Sequence, residues 1–121
     1  MSIYEDRRFE LWAYTVSLGR MLLRSIRRAD GTLAPGNVDV RFFGVAYLEL
    51  PTTLHDLEVS FADPAEIDHV VGRLGRPLGA GENVFALTGG SARYLVVAAG
   101  WSVEENEMER MDSGFSNPPA G

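Results

Sequence analysis

A chain of 121 residues, 45% hydrophobic and 23% charged, has the size and composition of one globular domain with an ordinary core, and not of two. It has no cysteine, which excludes disulfides, a thiolate nucleophile and cysteine-ligated metal, and all eleven of its basic residues are arginine, which excludes a Schiff-base lysine. Of the net charge of −6, the stretch from Glu104 onward carries −4, so the remainder is only mildly acidic and lacks the broad cationic surface of a general nucleic-acid binder.

The opening Met1 to Arg8 lacks the apolar centre of a signal peptide, and the longest apolar run, Tyr94 to Trp101, is too short to span a bilayer. The expectation is a cytoplasmic protein with no membrane contact. Residues 8–16 and 20–28 are rich in aromatic and branched side chains and read as a hairpin around Ser17-Leu18-Gly19. Val16 then faces Arg20, Trp12 lies near Arg24 and Tyr14 near Leu22. One face carries Phe9, Leu11, Ala13, Met21 and Leu23. The other carries Trp12, Tyr14, Val16, Leu22 and Ile26 with Arg24 and Arg28, and a two-residue turn would swap the combinations without making either face polar.

After the turn-rich "ADGTLAPGN", residues 38–50 read as a strand, with Gly44 marking a bulge, a bend or close approach of another backbone. Pro51 ends it, and "DLEVSFA" alternates as a strand with one wet side. Asp63-Pro64-Ala65-Glu66 has the order of a capped helix start. Ile67, Val70, Val71 and Leu74 follow on one helical face, and Gly75 ends it. A second hairpin, near 83–88 and 92–103, turns at Gly89-Gly90-Ser91. The reading is a single α+β domain over 1–103, followed by an acidic, flexible tail over 104–121.

Six strands make a sheet roughly 24 Å wide, whereas one helix of about 12 residues is ~18 Å by ~10 Å and covers less than half of one face. The predicted fold is therefore a strongly curled, mainly antiparallel six-stranded sheet, a partly open barrel with one main helix and with Gly44 and Gly100 as bending points. Residual aromatics are left for a partner.

Chemistry-bearing motifs are sparse. His55 and His69 do not form a metal-ligating pair, there is no GxSxG elbow, and Gly72, Gly75, Gly79 and Gly81 run from helix to strand, the reverse of a phosphate-binding loop. No catalytic residue, metal site or cofactor is expected. Arginines on one strand facing Trp12 and Tyr14 fit cation–π stacking at a protein interface, so the interaction candidates are Trp12, Tyr14, Arg24, Arg28, Phe43 and Tyr47. If the sheet curls with Asp39 and Arg41 inward, these two form the polar floor of a small-molecule pocket.

At "FELWAYTVSLGRMLLRS", "NVDVRFFGVAYLELP" and "NVFALTGGSARYLVVAAGWSVEEN" the chain resembles small single-domain bacterial proteins of uncharacterised function, and this resemblance transfers no functional residue. In being small, acidic and α+β it is similar to toxin-immunity proteins. The sequence thus points to a non-enzymatic interaction module that forms a homodimer or caps a protein partner through an aromatic sheet face, an immunity-type neutraliser being one form of the latter. The alternative is a small-ligand binding domain with a pocket inside the curled sheet.

Overall fold

The computed structural model describes residues 3–106. In chain order these form β1 (Ile3–Thr15), β2 (Arg20–Arg28), β3 (Leu33–Phe43), β4 (Tyr47–Glu49), β5 (Thr53–Phe61), α1 (Pro64–Leu74), β6 (Asn83–Gly89), β7 (Ala92–Ala98) and β8 (Gly100–Asn106). Every pairing is antiparallel, in the order β4-β7-β6-β5-β1-β2-β3-β8.

Eight strands therefore form where the hydrophobic pattern predicts six, because two long strands each break once, at facing positions. Gly44 separates β3 from β4 and adopts φ 63. A Cβ there would lie 3.0 Å from that of Ala99, the residue between β7 and β8. The bonds Ala99 N–H to Phe43 O (2.8 Å) and Ala46 N–H to Val97 O (2.9 Å) hold the two bends together. The ladder keeps two ends, β4 and β8, so the sheet is not closed.

It is nevertheless curled. Phe42 on β3 and Phe85 on β6 belong to strands four places apart in the order, ~19 Å on a flat sheet at ~4.8 Å per strand. Their ring centroids are 6.0 Å apart. The concave side is the main core, where Phe9, Met21, Leu23, Val40, Phe42, Leu54, Leu57 and Leu87 meet. Two bulges tune which residues point inward. Asp56 (φ 63) lets Leu54 and Leu57, three apart, both face the core, and Asp6 (φ 58) does the same for Tyr4 and Phe9 on β1. The bulges are tied to each other, since Asp6 N–H donates to Asp56 Oδ1 at 2.7 Å.

Helix α1 packs on the opposite, convex side. Asp63 caps it, accepting from Glu66 N–H while Glu66 accepts from Asp63 N–H, and Gly75 ends it in the left-handed region. Val70, Ile67 and Leu74 lie against Val84, Ala86, Leu95, Val97 and Tyr47. The helix thus covers the β4-β7-β6 part of the sheet.

The first hairpin departs from the expected register. Thr15, not Val16, faces Arg20, leaving a four-residue turn, and a bulge between Leu11 and Ala13 pairs Tyr14 with Met21 rather than Leu22. The physical reason lies in the turn's contacts: Gly19 O accepts from Val45 N–H at 2.8 Å, and a Cβ on Gly19 would sit 3.2 Å from that nitrogen. The turn is fitted to the bend after β3. Further boundaries differ: β1 starts at Ile3 rather than residue 8 and β5 at Thr53 rather than Asp56. Strand β3 begins at Leu33, inside the stretch read as a connection, and β8 continues to Asn106, so Glu104 and Glu105 pair with Asp39 and Val38 instead of opening the tail. The rest of the predicted tail, 107–121, lies outside the described residues.

Candidate functional site

The antiparallel ladder β1-β2-β3-β8 places Glu10, Arg24, Asp39 and Glu104 in one row across four strands. Arg24 and Asp39 face away from the Met21, Leu23, Val38 and Val40 core positions, yet both are 0% exposed. Asp39 Oδ1 accepts from Arg24 Nε at 2.7 Å and Oδ2 from Arg24 Nη2 at 2.9 Å, a bidentate charge-assisted pair. Arg41, two residues on and on the same side, donates to Asp39 Oδ2 at 3.2 Å and to Glu104 Oε2 at 3.1 Å. The Arg24 guanidinium also stands over the Trp12 ring, 5.3 Å from its centroid, although Glu10 and not Trp12 is its cross-strand partner. Four of the named candidates, Trp12, Arg24, Asp39 and Arg41, therefore meet in one place. Buried ion pairs with satisfied geometry fix a structure more than they present chemistry to solvent.

The other four lie elsewhere. Arg28 is exposed at the far end of β2, ~13 Å along the strand from Arg24. Tyr47 packs beneath α1 and donates to Glu49 Oε2 at 2.5 Å, and His69 Nε2 approaches the same oxygen at 3.0 Å. The Tyr47 bond, then the His69 contact, holds the Glu49 carboxyl below its ordinary range, and the same Glu49 bond raises the Tyr47 hydroxyl.

Tyr14 and Phe43 remain partly exposed, 41% and 39%, Tyr14 on the face shared by Met21 and Phe42 and Phe43 on the opposite face. Val16 and Leu18, in the β1–β2 turn, are 79% and 59% exposed. Leu18 is missing from the sequence candidates because it reads as an ordinary loop residue. Its apolar side chain next to Gly19 is the signal that marks it.

Several cavities open along the described surface. One of about 350 Å³ is lined by Tyr4, Arg7, Pro35 to Val38 and Glu105. Another of about 270 Å³ involves Tyr4, Glu5, Asp56 to Glu58, Thr88 and Gly90, and a third of about 140 Å³ is formed by Val59, Ser60, Phe61, Phe85 and Trp101. Asp39 and Arg41 line none of these three. Among the described residues no group of three or more His, Asp or Glu side chains could hold a metal ion, and no helix is long and apolar enough to cross a membrane. No family model, curated protein or solved structure matches the chain.

Proposed function

We propose that this chain is a non-enzymatic protein-interaction module that self-associates as a homodimer through the apolar rim of the β1–β2 turn. The observation that supports it most is the exposure of Val16 and Leu18, 79% and 59%, on a turn held in place by backbone bonds. Burying a large apolar side chain is worth about 1.5–3 kcal/mol, so Val16 and Leu18 left wet forgo a few kcal/mol that a second copy would recover. Because Gly19 N–H donates to Val16 O (3.2 Å) and Val45 N–H to Gly19 O, little ordering cost opposes docking. Exposed Arg20 beside the rim supplies the side-chain type enriched at the centres of interfaces. The likeness to toxin-immunity proteins names a second class of partner for the same rim.

A small-ligand site floored by Asp39 and Arg41 has less support, because the Asp39 carboxylate is taken up by Arg24 and Arg41. Size-exclusion chromatography with light scattering tests the dimer. The expected mass approaches twice 13.3 kDa at high concentration and falls back to 13.3 kDa for the doubly substituted Val16→Glu, Leu18→Glu chain. A wild-type mass of 13.3 kDa at every concentration would overturn the reading.

A further inference from the structure

We propose a second docking site, independent of the turn: the open edge of β8 takes an extended, basic segment of a partner protein by strand addition. Strand β8 pairs with β3 along Asn37 to Phe43 and, among the described residues, has no ladder on its other side. Such an edge offers a row of backbone donors and acceptors to an incoming strand.

Side-chain recognition is laid out along the same edge. Trp101, near one end of β8, lines the 140 Å³ cavity with Phe61 and Phe85. Glu105, near the other, lines the 350 Å³ cavity with Tyr4 and Arg7. The two β8 residues are four apart, hence on one side of the strand and ~13 Å from each other. A segment running alongside presents its own positions i and i+4 at that spacing.

The first cavity is aromatic. Phe61 is 70% exposed and its ring stacks on Phe85 with centroids 5.4 Å apart, an arrangement that suits a large apolar side chain. Around Tyr4 the character is acidic. Glu105 stands on one side, Glu5, Asp56 and Glu58 on the other, against Arg7, whose guanidinium donates to the carbonyls of Ser25 (3.3 Å) and Pro35 (3.1 Å), and Arg93, which lies near Glu58 and is paired with Glu66. Charge complementarity therefore selects a basic segment, with an aromatic or large aliphatic residue four positions from an arginine or lysine.

The test uses the full chain and a fluorescein-labelled ten-residue peptide with arginine and phenylalanine four apart in a β-forming background. Companion peptides carry glutamate for arginine, or a central proline. Fluorescence anisotropy should show binding of the arginine peptide only, weakening as salt rises. Phe61→Ser should weaken it about tenfold, and Glu58→Arg with Glu105→Arg should abolish the salt dependence. Amide hydrogen exchange over 100–106 should slow on binding. Val16→Glu with Leu18→Glu should leave all of this unchanged, so this site and the dimer rim fail separately. The proposal is overturned by equal affinity for the glutamate peptide, by indifference to Phe61→Ser, or by no binding at all. It is overturned too if β8 amides become protected by raising the protein concentration alone, which would make a second copy the occupant. Binding seen only after removal of residues 107–121 would make the chain's own segment the occupant and would overturn it equally.

Discussion

Replacing Asp39 by asparagine keeps the shape of the side chain and removes its charge, which isolates what the buried ion pair does. In the wild type the carboxylate accepts at 2.7, 2.9 and 3.2 Å from Arg24 and Arg41, and neither Arg24 nor Asp39 has any exposed side-chain surface. The substituted amide would keep one acceptor and turn an N–H donor toward a guanidinium donor, so the buried Arg24 loses its charge-assisted pair with Asp39. Removing one member of such a pair costs about 3–5 kcal/mol. At roughly 4 °C per kcal/mol for a domain of this size, Tm should fall by about 12–20 °C. Urea unfolding followed by circular dichroism measures the loss as a shift in midpoint at unchanged slope. Arg24→Met with Asp39→Leu, which removes both charges and fills the space, should recover most of the loss, since Arg41 can turn fully to Glu104. Asp39→Asn within about 1 kcal/mol of wild type would refute the reasoning. A double variant as unstable as the single one would move the cost from charge to packing.

Two further outcomes follow from local geometry. Gly44→Ala should destabilise by about 1–3 kcal/mol, because φ 63 strains an alanine and its Cβ would press on Ala99 at 3.0 Å. Gly100→Ala, with nothing within 4 Å of its Cβ, should stay within about 1 kcal/mol, and thermal melts of the two compare them directly. Glu82 receives two bonds from Arg76 (2.8 and 2.9 Å) and one from Gly79 N–H (2.7 Å). These, Arg76 foremost, hold its carboxyl at about 2, against an ordinary 4.5. A depressed carboxyl stabilises the fold above its unfolded value, so this contribution is complete above about pH 4.5 and disappears as pH falls toward 2. The Gly79 amide resonance should titrate with a midpoint near 2 and lose that titration in Glu82→Gln. A midpoint near 4.5 would contradict the bond pattern.

What the sequence shows depends on whether the chain keeps its period. Helix α1 is legible from Asp63 to Gly75 because capping, proline placement and the 3,4,7 spacing agree there. The bend at Gly44 is legible because a glycine interrupts an otherwise continuous strand, although the matching break at Ala99 carries no such mark beyond its neighbour Gly100. Asp6 and Asp56 are hidden, since a non-glycine residue in the left-handed region flips the inward parity without changing composition. A bulge at Trp12, without a left-handed residue, likewise shifts the pairing of Tyr14. Arg24 beside Trp12 follows in the sequence from Val16 facing Arg20, a register that does not form; Glu10 faces Arg24, and the bulge at Trp12 accompanies the ring contact. The bidentate Asp39 partnership is not foreseeable, because it depends on the β2–β3 register, and that register is set by a turn that closes before Leu33 while the turn-forming composition runs on to Asn37.

The homodimer at the β1–β2 turn is the central functional claim, and the absence of cysteine makes it directly measurable. Ser17→Cys places a thiol in the middle of the rim, while Ser91→Cys places one at the β6–β7 turn, which is exposed as well. Within a dimer the effective concentration of facing groups reaches the millimolar range, so at about 50 μM protein the Ser17→Cys chain should oxidise to a covalent dimer at least about tenfold faster than the Ser91→Cys chain. Equal rates for the two would mean that the β1–β2 turns do not meet, and would contradict the account.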